Sequence, residues 1–450
     1  MNMIDSFFKL SERNTKFLKE VFYGLLSFLP LIYVLPVISS TLGSVGINEN
    51  GAFIATAIST GFACILAGLV TNKPIIQSIG LGMNAFFVYN ICGKMGYSCE
   101  GGLTIIFISS ILFLIFSITN VRKKIILSIP NEIRLAITIG LGAFLIYSGF
   151  KSAGFIVNIN DNISLSYWNK PMIILFILGV VLTFCLMKIE KLNNYAVIIG
   201  IAFVAGIGYI LNLFGVEQTP QFTKTQIDFS TLSETVFRFD FSVLKSIKTY
   251  IVIVIFTFMN VFDTGTGILA LHSELDLDGE NKELKVNKSL FLPDAIASIV
   301  STSLGCSTVT TYAETKILCN SGSKTGISAI TIGILFILSI FLYPVFTIFS
   351  GIEIEGAYYY PITSVGVVSI GIMLVSKLKE VDWKDYISAI STLIMLITMI
   401  LVYSIPDGVG IGIIIYVILK LIFNKGKDLS KVMILITIIF AIYFLALLLI

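Results

Sequence analysis

The sequence predicts an all-α polytopic membrane protein, and three observations support this fold class. Of the 450 residues, 56% are hydrophobic and 13% are charged, whereas a soluble domain carries roughly 25% charged residues. The mean hydropathy is +0.95. Apolar runs of about 20 residues, the length that crosses a bilayer as a helix, recur along the whole chain.

The apolar runs define the predicted membrane segments. The N-terminal stretch 1–19 is polar and charged, and no small-residue cleavage site follows an apolar core, so we expect the first run to be retained. The segments, numbered one to fourteen, are 19–39, 51–70, 75–92, 101–120, 131–150, 171–188, 195–214, 247–271, 290–305, 306–321, 325–349, 361–377, 384–404 and 406–424. A last run, 432–450, is a candidate fifteenth segment.

Basic residues test this count, because Lys and Arg accumulate in cytoplasmic loops. If no segment is missed, one side of the membrane receives Lys9, Arg13, Lys16, Lys19, Lys73, Arg122, Lys123, Lys124, Lys188, Lys191, Lys282, Lys285, Lys288, Lys324, Lys377, Lys379, Lys384, Lys425, Lys427 and Lys431. The loops on the other side are weakly charged or acidic. The pattern predicts a cytoplasmic N-terminus.

Segments three and ten differ from ordinary membrane helices. Segment three has Gly80, Gly82 and Asn84 in its middle, and segment ten begins with STVTTY, whose β-branched and aromatic residues favour extended chain. At membrane depth, irregular backbone is tolerated only where it is buried in protein or lines a cavity. Two interrupted segments at corresponding places indicate a transporter site between inverted repeats. Because three and ten differ by seven, an odd number, two seven-segment halves would have opposite orientations.

Asp263 is the first candidate site residue, within TFMNVFDTGTGILA of segment eight. Apolar residues continue through 268–271, so the carboxylate is predicted at membrane depth, where charge is costly and function is the default interpretation. The alternative is a helix-end cap that accepts hydrogen bonds from free backbone N–H groups.

Glu314 is the second candidate, after a predicted extended stretch at 307–311. If a half-helix begins near Tyr312, Glu314 lies at its N-terminus, beside unpaired N–H groups. The alternatives are a capping carboxylate or an ion pair with Lys316, although residues two apart on a helix do not face each other. Lys316 could instead extend toward water or line the access path.

The block GLGMNAFF, residues 80–87, is the third candidate. Glycines allow close approach of backbone or ligand, and the Asn84 amide both donates and accepts hydrogen bonds. The alternative is helix packing with a capping Asn. Tyr33, Phe86 and Tyr312 are placed to stack on a flat ring, with ordinary packing as the alternative for each.

The two carboxylates suit a proton symporter of a flat, hydrogen-bonding solute. A buried carboxyl group can hold and release a proton near neutral pH, and a carboxylate accepts hydrogen bonds from ring N–H and amino groups. The single histidine, His272, and six cysteines without a CxxC pair predict no metal, no cofactor and no enzyme chemistry. The net charge of +3, without a long basic run, gives no indication of nucleic acid.

Five motifs carry a family resemblance that spans nearly the whole chain: FFKLSERNT, GLGMNAFF, NVFDTGTG, STVTTYAET with SGSKTGISA, and YSIPDGVGIGIIIYVILKL. The chain resembles the adenine/guanine/hypoxanthine permease (AzgA-like) branch of the nucleobase–cation symporter-2 family. The resemblance implies a uracil-permease-like fold of two inverted seven-helix repeats. In that fold, short strands in segments three and ten precede half-helices, and substrate lies between them.

The resemblance also implies a core domain, 1–120 and 247–350, and a gate domain, 121–246 and 351–450, which includes the C-terminal hydrophobic segment. It assigns Gly82 and Asn84 to the shape of the site, and Asp263 and Glu314 to purine binding and proton coupling. We expect their neighbours to contact substrate as well: Ala313, Phe86 and Tyr33.

Three departures from the branch stand out. Asn260 occupies a position that is usually Asp, and Lys324 replaces Arg. Lys316 interrupts a usual run of small residues after Glu314, adds a cation near the site and could alter substrate choice or coupling.

The expected function is proton-coupled import of adenine, guanine or hypoxanthine across the plasma or inner membrane. The expected partners are the purine, the proton and the lipid bilayer, and a homodimer is compatible with the resemblance. A xanthine/urate, uracil or inorganic anion carrier on the same fold is the main alternative, although an anion carrier should avoid a carboxylate pair. An intramembrane enzyme, a receptor or a structural protein is not favoured.

Overall fold

A computed structural model of the chain describes residues 3–119, 121–159, 162–165, 169–221, 227–271, 275, 288–312, 314–354 and 357–448. His272, Lys282 and Lys285 lie outside these ranges. Within them, nine helical stretches are long and apolar enough to cross a membrane, and three shorter apolar helices lie at 171–187, 386–401 and 431–445. The chain is therefore a multi-pass membrane protein, as its composition predicts.

The α-helices, in chain order, are α1 Met3–Phe8, α2 Phe17–Phe28, α3 Val34–Gly43, α4 Glu49–Thr71, α5 Leu81–Ala85, α6 Cys99–Ile118, α7 Val121–Ser128, α8 Asn131–Ser152, α9 Pro171–Met187, α10 Ala196–Leu213, α11 Ile247–Ala270, α12 Leu292–Ser303, α13 Thr315–Asn320, α14 Gly326–Leu338, α15 Tyr343–Phe346, α16 Pro361–Val375, α17 Tyr386–Leu401, α18 Ile405–Ile422 and α19 Lys431–Leu448. Most of the predicted membrane segments correspond to one of these helices. Helix α19 occupies the run predicted as a candidate fifteenth segment.

Six short strands form three antiparallel pairs: β1 Gln77–Ile79, β2 Ile156–Ile159, β3 Asn162–Leu165, β4 Val309–Thr311, β5 Ile352–Ile354 and β6 Ala357–Tyr359. Two pairs, β2 with β3 and β5 with β6, join neighbouring stretches of chain. The pair of β1 and β4 joins segments three and ten, with Ser78 opposite Thr310.

Segments three and ten are interrupted where the sequence predicts it. In segment three, β1 is followed by Gly80, by α5 and by a π-helix, Phe86–Lys94. In segment ten, β4 precedes α13, whose N-cap residue is Glu314. π-Helical segments are rare in proteins, and those that occur often lie at functional sites. The predicted extended stretch is shorter than expected, because regular pairing begins at Val309 rather than Ser307.

Two segments differ from the predicted pattern. Segment one is interrupted, because α2 ends at Phe28, a 3-10 turn containing Pro30 follows, and α3 begins at Val34. Proline lacks the N–H that would continue an α-helix. The basic cluster after segment four is not a loop but helix α7, and Arg122 in this helix is fully buried.

The membrane helices form two groups by their contacts. The first helix group contains α2, α3, α4, α6, α11, α12 and α14. The second helix group contains α8, α9, α10, α16, α17, α18 and α19. Helix α3 also contacts α16, and α11 also contacts α8, so the two groups meet along these helices.

Paired glycines bring helices into close contact in both groups. A Cβ on Gly326 of α14 would lie 2.0 Å from the carbonyl oxygen of Gly68 in α4, and a Cβ on Gly68 would lie 2.4 Å from that of Gly326. Gly142 of α8 and Gly371 of α16 make the same reciprocal contact, at 2.6 Å in each direction. Small residues of this kind let membrane helices approach closely.

The contact of Gly142 with Gly371 and the pairing of β1 with β4 follow the spacing of the two repeats. Helices α8 and α16 are the fifth and twelfth segments, and β1 and β4 belong to the third and tenth, so each pair is seven segments apart. An antiparallel strand pair and a mutual glycine crossing are the contacts expected where two inverted copies meet around a pseudo-two-fold axis.

Candidate functional site between two short strands

The pair of β1 and β4 forms the frame of the candidate site. Beyond the paired residues, Gly80 N donates to Thr308 O at 2.9 Å, and Tyr312 N donates to Ile76 O at 3.0 Å. The backbone N–H of Ile76 donates to Thr315 Oγ1 at 3.0 Å. With no water in a bilayer core, backbone groups must be paired within the protein, and these bonds satisfy the chain where its helices are interrupted.

Glu314 lies directly after β4, at the N-cap of α13. Its side chain makes no capping hydrogen bond to that helix. Instead, its Oε1 accepts a hydrogen bond from the hydroxyl of Tyr33 at 3.1 Å. Tyr33 is 2% exposed and precedes α3, so the break at Pro30 places it beside the carboxylate. Lys316, two residues after Glu314 and within α13, is exposed.

Asp263 lies inside α11, seven residues before the last residue of that helix, so it does not cap a helix end. The side chain of Thr310 in β4 lies beside its carboxylate. A Cβ on Gly80 would lie 3.1 Å from Asp263 Oδ2 and 3.1 Å from Thr310 Cγ2. The glycine after β1 therefore leaves the space that brings the carboxylate against the strand pair.

Tyr312 follows β4 and is buried. Its hydroxyl donates to the carbonyl oxygen of Ile79 at 2.6 Å, which ties β4 to the end of β1. The ring is close enough to both Glu314 and Asp263 to interact with their charges. The structure thus brings together three residues that sequence reasoning placed near the site, Asp263, Tyr312 and Glu314.

Asn84 and Gly82 lie where the two helix groups meet. Asn84 is 1% exposed, and its backbone N–H donates to Gly80 O at 2.8 Å. Its side chain lines a narrow cleft with residues of both helix groups: Val37, Thr41, Leu145 and Val367. A Cβ on Gly82 would lie 2.7 Å from Leu141 Cδ2 of α8. Both residues therefore face the boundary between the two groups.

The remaining predicted site residues have less direct support. The Phe86 ring is fully buried and packs on Phe256 of α11, with ring centroids 5.3 Å apart. Ala313 lies outside the described residues. Their contact with substrate stays a prediction.

Three buried hydroxyl side chains at the strand pair were not named as site residues from the sequence: Thr60, Ser78 and Thr308. Thr308 Oγ1 donates to Asn260 Oδ1 at 3.1 Å, and Thr60 Oγ1 and Ser78 Oγ share a hydrogen bond of 2.7 Å. The run of hydroxyls in STVTTY was the available signal, because buried hydroxyls require partners.

The described residues contain no group of three or more His, Cys, Asp or Glu arranged to hold a metal ion. None of the six cysteines, each within the described ranges, forms a disulfide. The functional groups of the candidate site described above are two carboxylates, an amide, tyrosines and threonines.

Polar contacts between the two helix groups gather at one end of the structure. Lys94 Nζ, at the end of the π-helix, lies 2.7 Å from Asp407 Oδ2 of α18. In the same region Asn90 donates to Tyr403 O at 2.8 Å and accepts from Ile405 N at 3.1 Å. These contacts join the π-helix, which directly follows the helix that carries Asn84, to the second helix group.

Comparison with known proteins finds similarity over the full chain. The Xan_ur_permease family model, described as Permease family, matches residues 18–411. The guanine/hypoxanthine permease PbuG of Bacillus subtilis is 31% identical over 453 residues, which cover 98% of this chain and 99% of PbuG. The adenine permease AdeP of Escherichia coli is 29% identical over 446 residues, covering 97% of this chain and 95% of AdeP.

Two solved structures share the fold. The transmembrane domain of the cyanobacterial bicarbonate transporter BicA matches with a TM-score of 0.60 at 11% identity, covering 88% of this chain and 97% of that domain. The murine anion transporter Slc26a9 in its inward-facing state matches with a TM-score of 0.61 at 10% identity, covering 90% of this chain and 68% of that chain. The predicted fold of two inverted seven-helix repeats is confirmed.

Proposed function

This chain belongs to the Xan_ur_permease family of permeases, and from that premise we propose that it imports purine nucleobases across the cytoplasmic membrane, coupled to protons. Full-length similarity to permeases named for guanine, hypoxanthine and adenine supports the substrate class. The observation that carries the proposal is the pair of carboxylates near β4: Asp263 lies beside Thr310 of this strand, and Glu314 follows the strand at the N-cap of α13. An inorganic anion would be repelled by both groups.

The proposed binding chemistry follows from the site's donors and acceptors. Purines present ring N–H and, in adenine and guanine, amino groups, and a carboxylate accepts hydrogen bonds from both kinds of donor with the strength of charge-assisted bonds. Glu314, oriented by the Tyr33 hydroxyl, accepts from the ring. Asp263 receives substrate donors or the coupled proton, and the Asn84 amide contacts another edge of the base.

The proposed transport motion separates the two helix groups. The first helix group acts as the core domain that carries substrate, and the second acts as the gate domain. The cytoplasmic N-terminus predicted from basic residues places the contact of Lys94 with Asp407 on the outer side. In this proposal the contact breaks whenever the site opens outward.

Competition by unlabelled bases tests the substrate class. In cells without other purine permeases, adenine, guanine and hypoxanthine are expected to inhibit uptake of labelled hypoxanthine, because they share the donors that face the carboxylates. Uracil, xanthine and urate also carry ring N–H groups, but they are expected to leave uptake unchanged, as is bicarbonate, because the similar permeases are named for adenine, guanine and hypoxanthine. Cells that carry empty vector provide the background. If only uracil or only xanthine inhibits uptake, the protein is instead one of the alternative carriers on the same fold.

An imposed ion gradient tests the coupling. In proteoliposomes with an acidic exterior, labelled hypoxanthine is expected to accumulate, because protonation of a site carboxylate outside and release inside drive the cycle. A protonophore should collapse the accumulation. Accumulation that a sodium gradient sustains without a pH difference would show that the coupling ion is not the proton.

A further inference from the structure

Arg122 and Asp294 form a fully buried ion pair behind the candidate site. Neither residue has any exposed surface. Two guanidinium nitrogens donate to the two carboxylate oxygens, at 2.8 Å and 2.5 Å. The paired geometry matches the planar fork of arginine to the planar carboxylate.

Aromatic rings and hydrogen-bond acceptors surround the guanidinium of Arg122. Its central carbon lies 4.3 Å from the ring centroid of Phe113 and 4.4 Å from that of Phe291. It also donates to Phe291 O at 2.8 Å and to Ser117 Oγ at 3.1 Å. Arg122 of α7 thus joins α6 to the start of α12.

Stability alone does not account for such a pair. Removing two charges from water is costly, and apolar side chains of similar volume often fold as well or better. A buried ion pair therefore calls for a role that apolar packing could not perform, and the remaining contact of Arg122 indicates one.

The remaining contact leads to the helix that carries Asp263. Arg122 donates to Thr264 Oγ1 at 2.6 Å, and Thr264 donates to Asn260 O one turn earlier at 2.9 Å. Asn260 in turn accepts the hydrogen bond from Thr308, just before β4. Consecutive helical residues point about 100° apart, so Thr264 can face Arg122 while Asp263 faces Gly80 and β4.

A second contact from α7 reaches the same stretch of α11. A Cβ on Gly265 would lie 2.6 Å from Ile126 Cδ1, so this side chain packs directly on the helix backbone. Helix α7 lies in the chain between α6 of the first helix group and α8 of the second. It contacts α6 and α11 of the first helix group and α19 of the second, so α7 packs on both groups and on the stretch of α11 beside Asp263.

We propose that Arg122 and Asp294 are positioning residues. Through their contacts with Thr264 and Asn260, they hold Asp263 and β4 in the geometry that binds substrate. The inference rests on the proposed function, since it concerns the same site. It assigns no contact with substrate to either residue. The expected signature is a change in apparent substrate affinity without a loss of folded protein.

Thr264→Val is the sharpest test, because it removes the hydroxyl that accepts from Arg122 and nearly preserves shape. Hydrogen bonds to charged groups are stronger than those between neutral groups. Loss of this bond should therefore raise the KM for hypoxanthine about fivefold or more, with Vmax within about twofold of wild type. Thr264→Ser should restore the wild-type KM. Thr257→Val is the matched control: Thr257 is a buried threonine of α11 whose hydroxyl bonds only Ile253 O in the described contacts.

A double variant separates positioning from folding. Arg122→Leu alone leaves the Asp294 charge unpaired and is expected to lose folded protein. Arg122→Leu with Asp294→Leu should retain folded protein, judged by size exclusion and thermal melting, and should still show the raised KM. Wild-type KM in both Thr264→Val and the double variant would overturn the inference while leaving purine import intact. If the wild-type protein imports no purine in the same assay, the proposed function itself fails.

Discussion

Replacing Glu314 by Gln is expected to abolish accumulation of labelled hypoxanthine while the protein stays folded in the membrane. Gln keeps the size of the side chain and can still accept from the Tyr33 hydroxyl, which lies 3.1 Å from the carboxylate. It removes the negative charge, so bonds from purine N–H groups lose their charge assistance. Because hydrogen bonds to charged groups contribute about 1.5–3 kcal/mol, substrate binding should weaken about tenfold to hundredfold.

The loss of accumulation should exceed the loss of binding, since a Gln cannot carry the coupled proton. Equilibrium binding and counterflow on purified protein separate the two effects. Glu353→Gln provides the control, because Glu353 is an exposed residue of β5 with the same chemistry. Wild-type accumulation by the Glu314→Gln variant would remove Glu314 from the mechanism.

Replacing Gly326 by Val is expected to prevent stable folding. The first added carbon would lie 2.0 Å from the carbonyl oxygen of Gly68, and the next nearest atoms also belong to the backbone of that glycine. Backbone cannot rotate away as a side chain can, so α4 and α14 must separate. Overpacking of a tight contact commonly costs about 1–3 kcal/mol, and we expect this rigid contact to exceed that range.

The measurements are the amount of monodisperse protein extracted from membranes and its melting temperature. Gly206→Val is the matched control, because Gly206 lies in membrane helix α10 and a Cβ there meets no atom within 4 Å. Its yield and melting temperature should stay near wild type. Equal behaviour of the two variants would show that the glycine crossing does not limit stability.

The interrupted segments were predictable because their signal is local. A run of β-branched residues and hydroxyls cannot form a stable apolar helix, and a polar stretch at membrane depth needs a protein partner. The pairing of β1 with β4 follows from the inverted spacing of segments three and ten. Pro30 was also a signal for a break in segment one. The apolar run continues on both sides of it, however, and the sequence analysis predicted a single segment.

The role of Arg122 could not be predicted by the same means. Beside Lys123 and Lys124 it has the composition of a cytoplasmic loop, and its buried partner Asp294 lies 172 positions away. An acidic residue in the apolar start of segment nine was the one available signal. Charge counting assigns a residue to a side of the membrane and contains no information on burial.

The sequence by itself determined the class, the interrupted segments and their inversion, and it predicted the two candidate carboxylates, because each depends on composition or on spacing along the chain. Tertiary structure alone decided which groups meet: Tyr33 with Glu314, Gly80 with Asp263, and Arg122 with Asp294 and Thr264. These contacts join residues far apart in the sequence. Their geometry depends on helix crossings set by atoms in van der Waals contact, which hydropathy and periodicity do not encode.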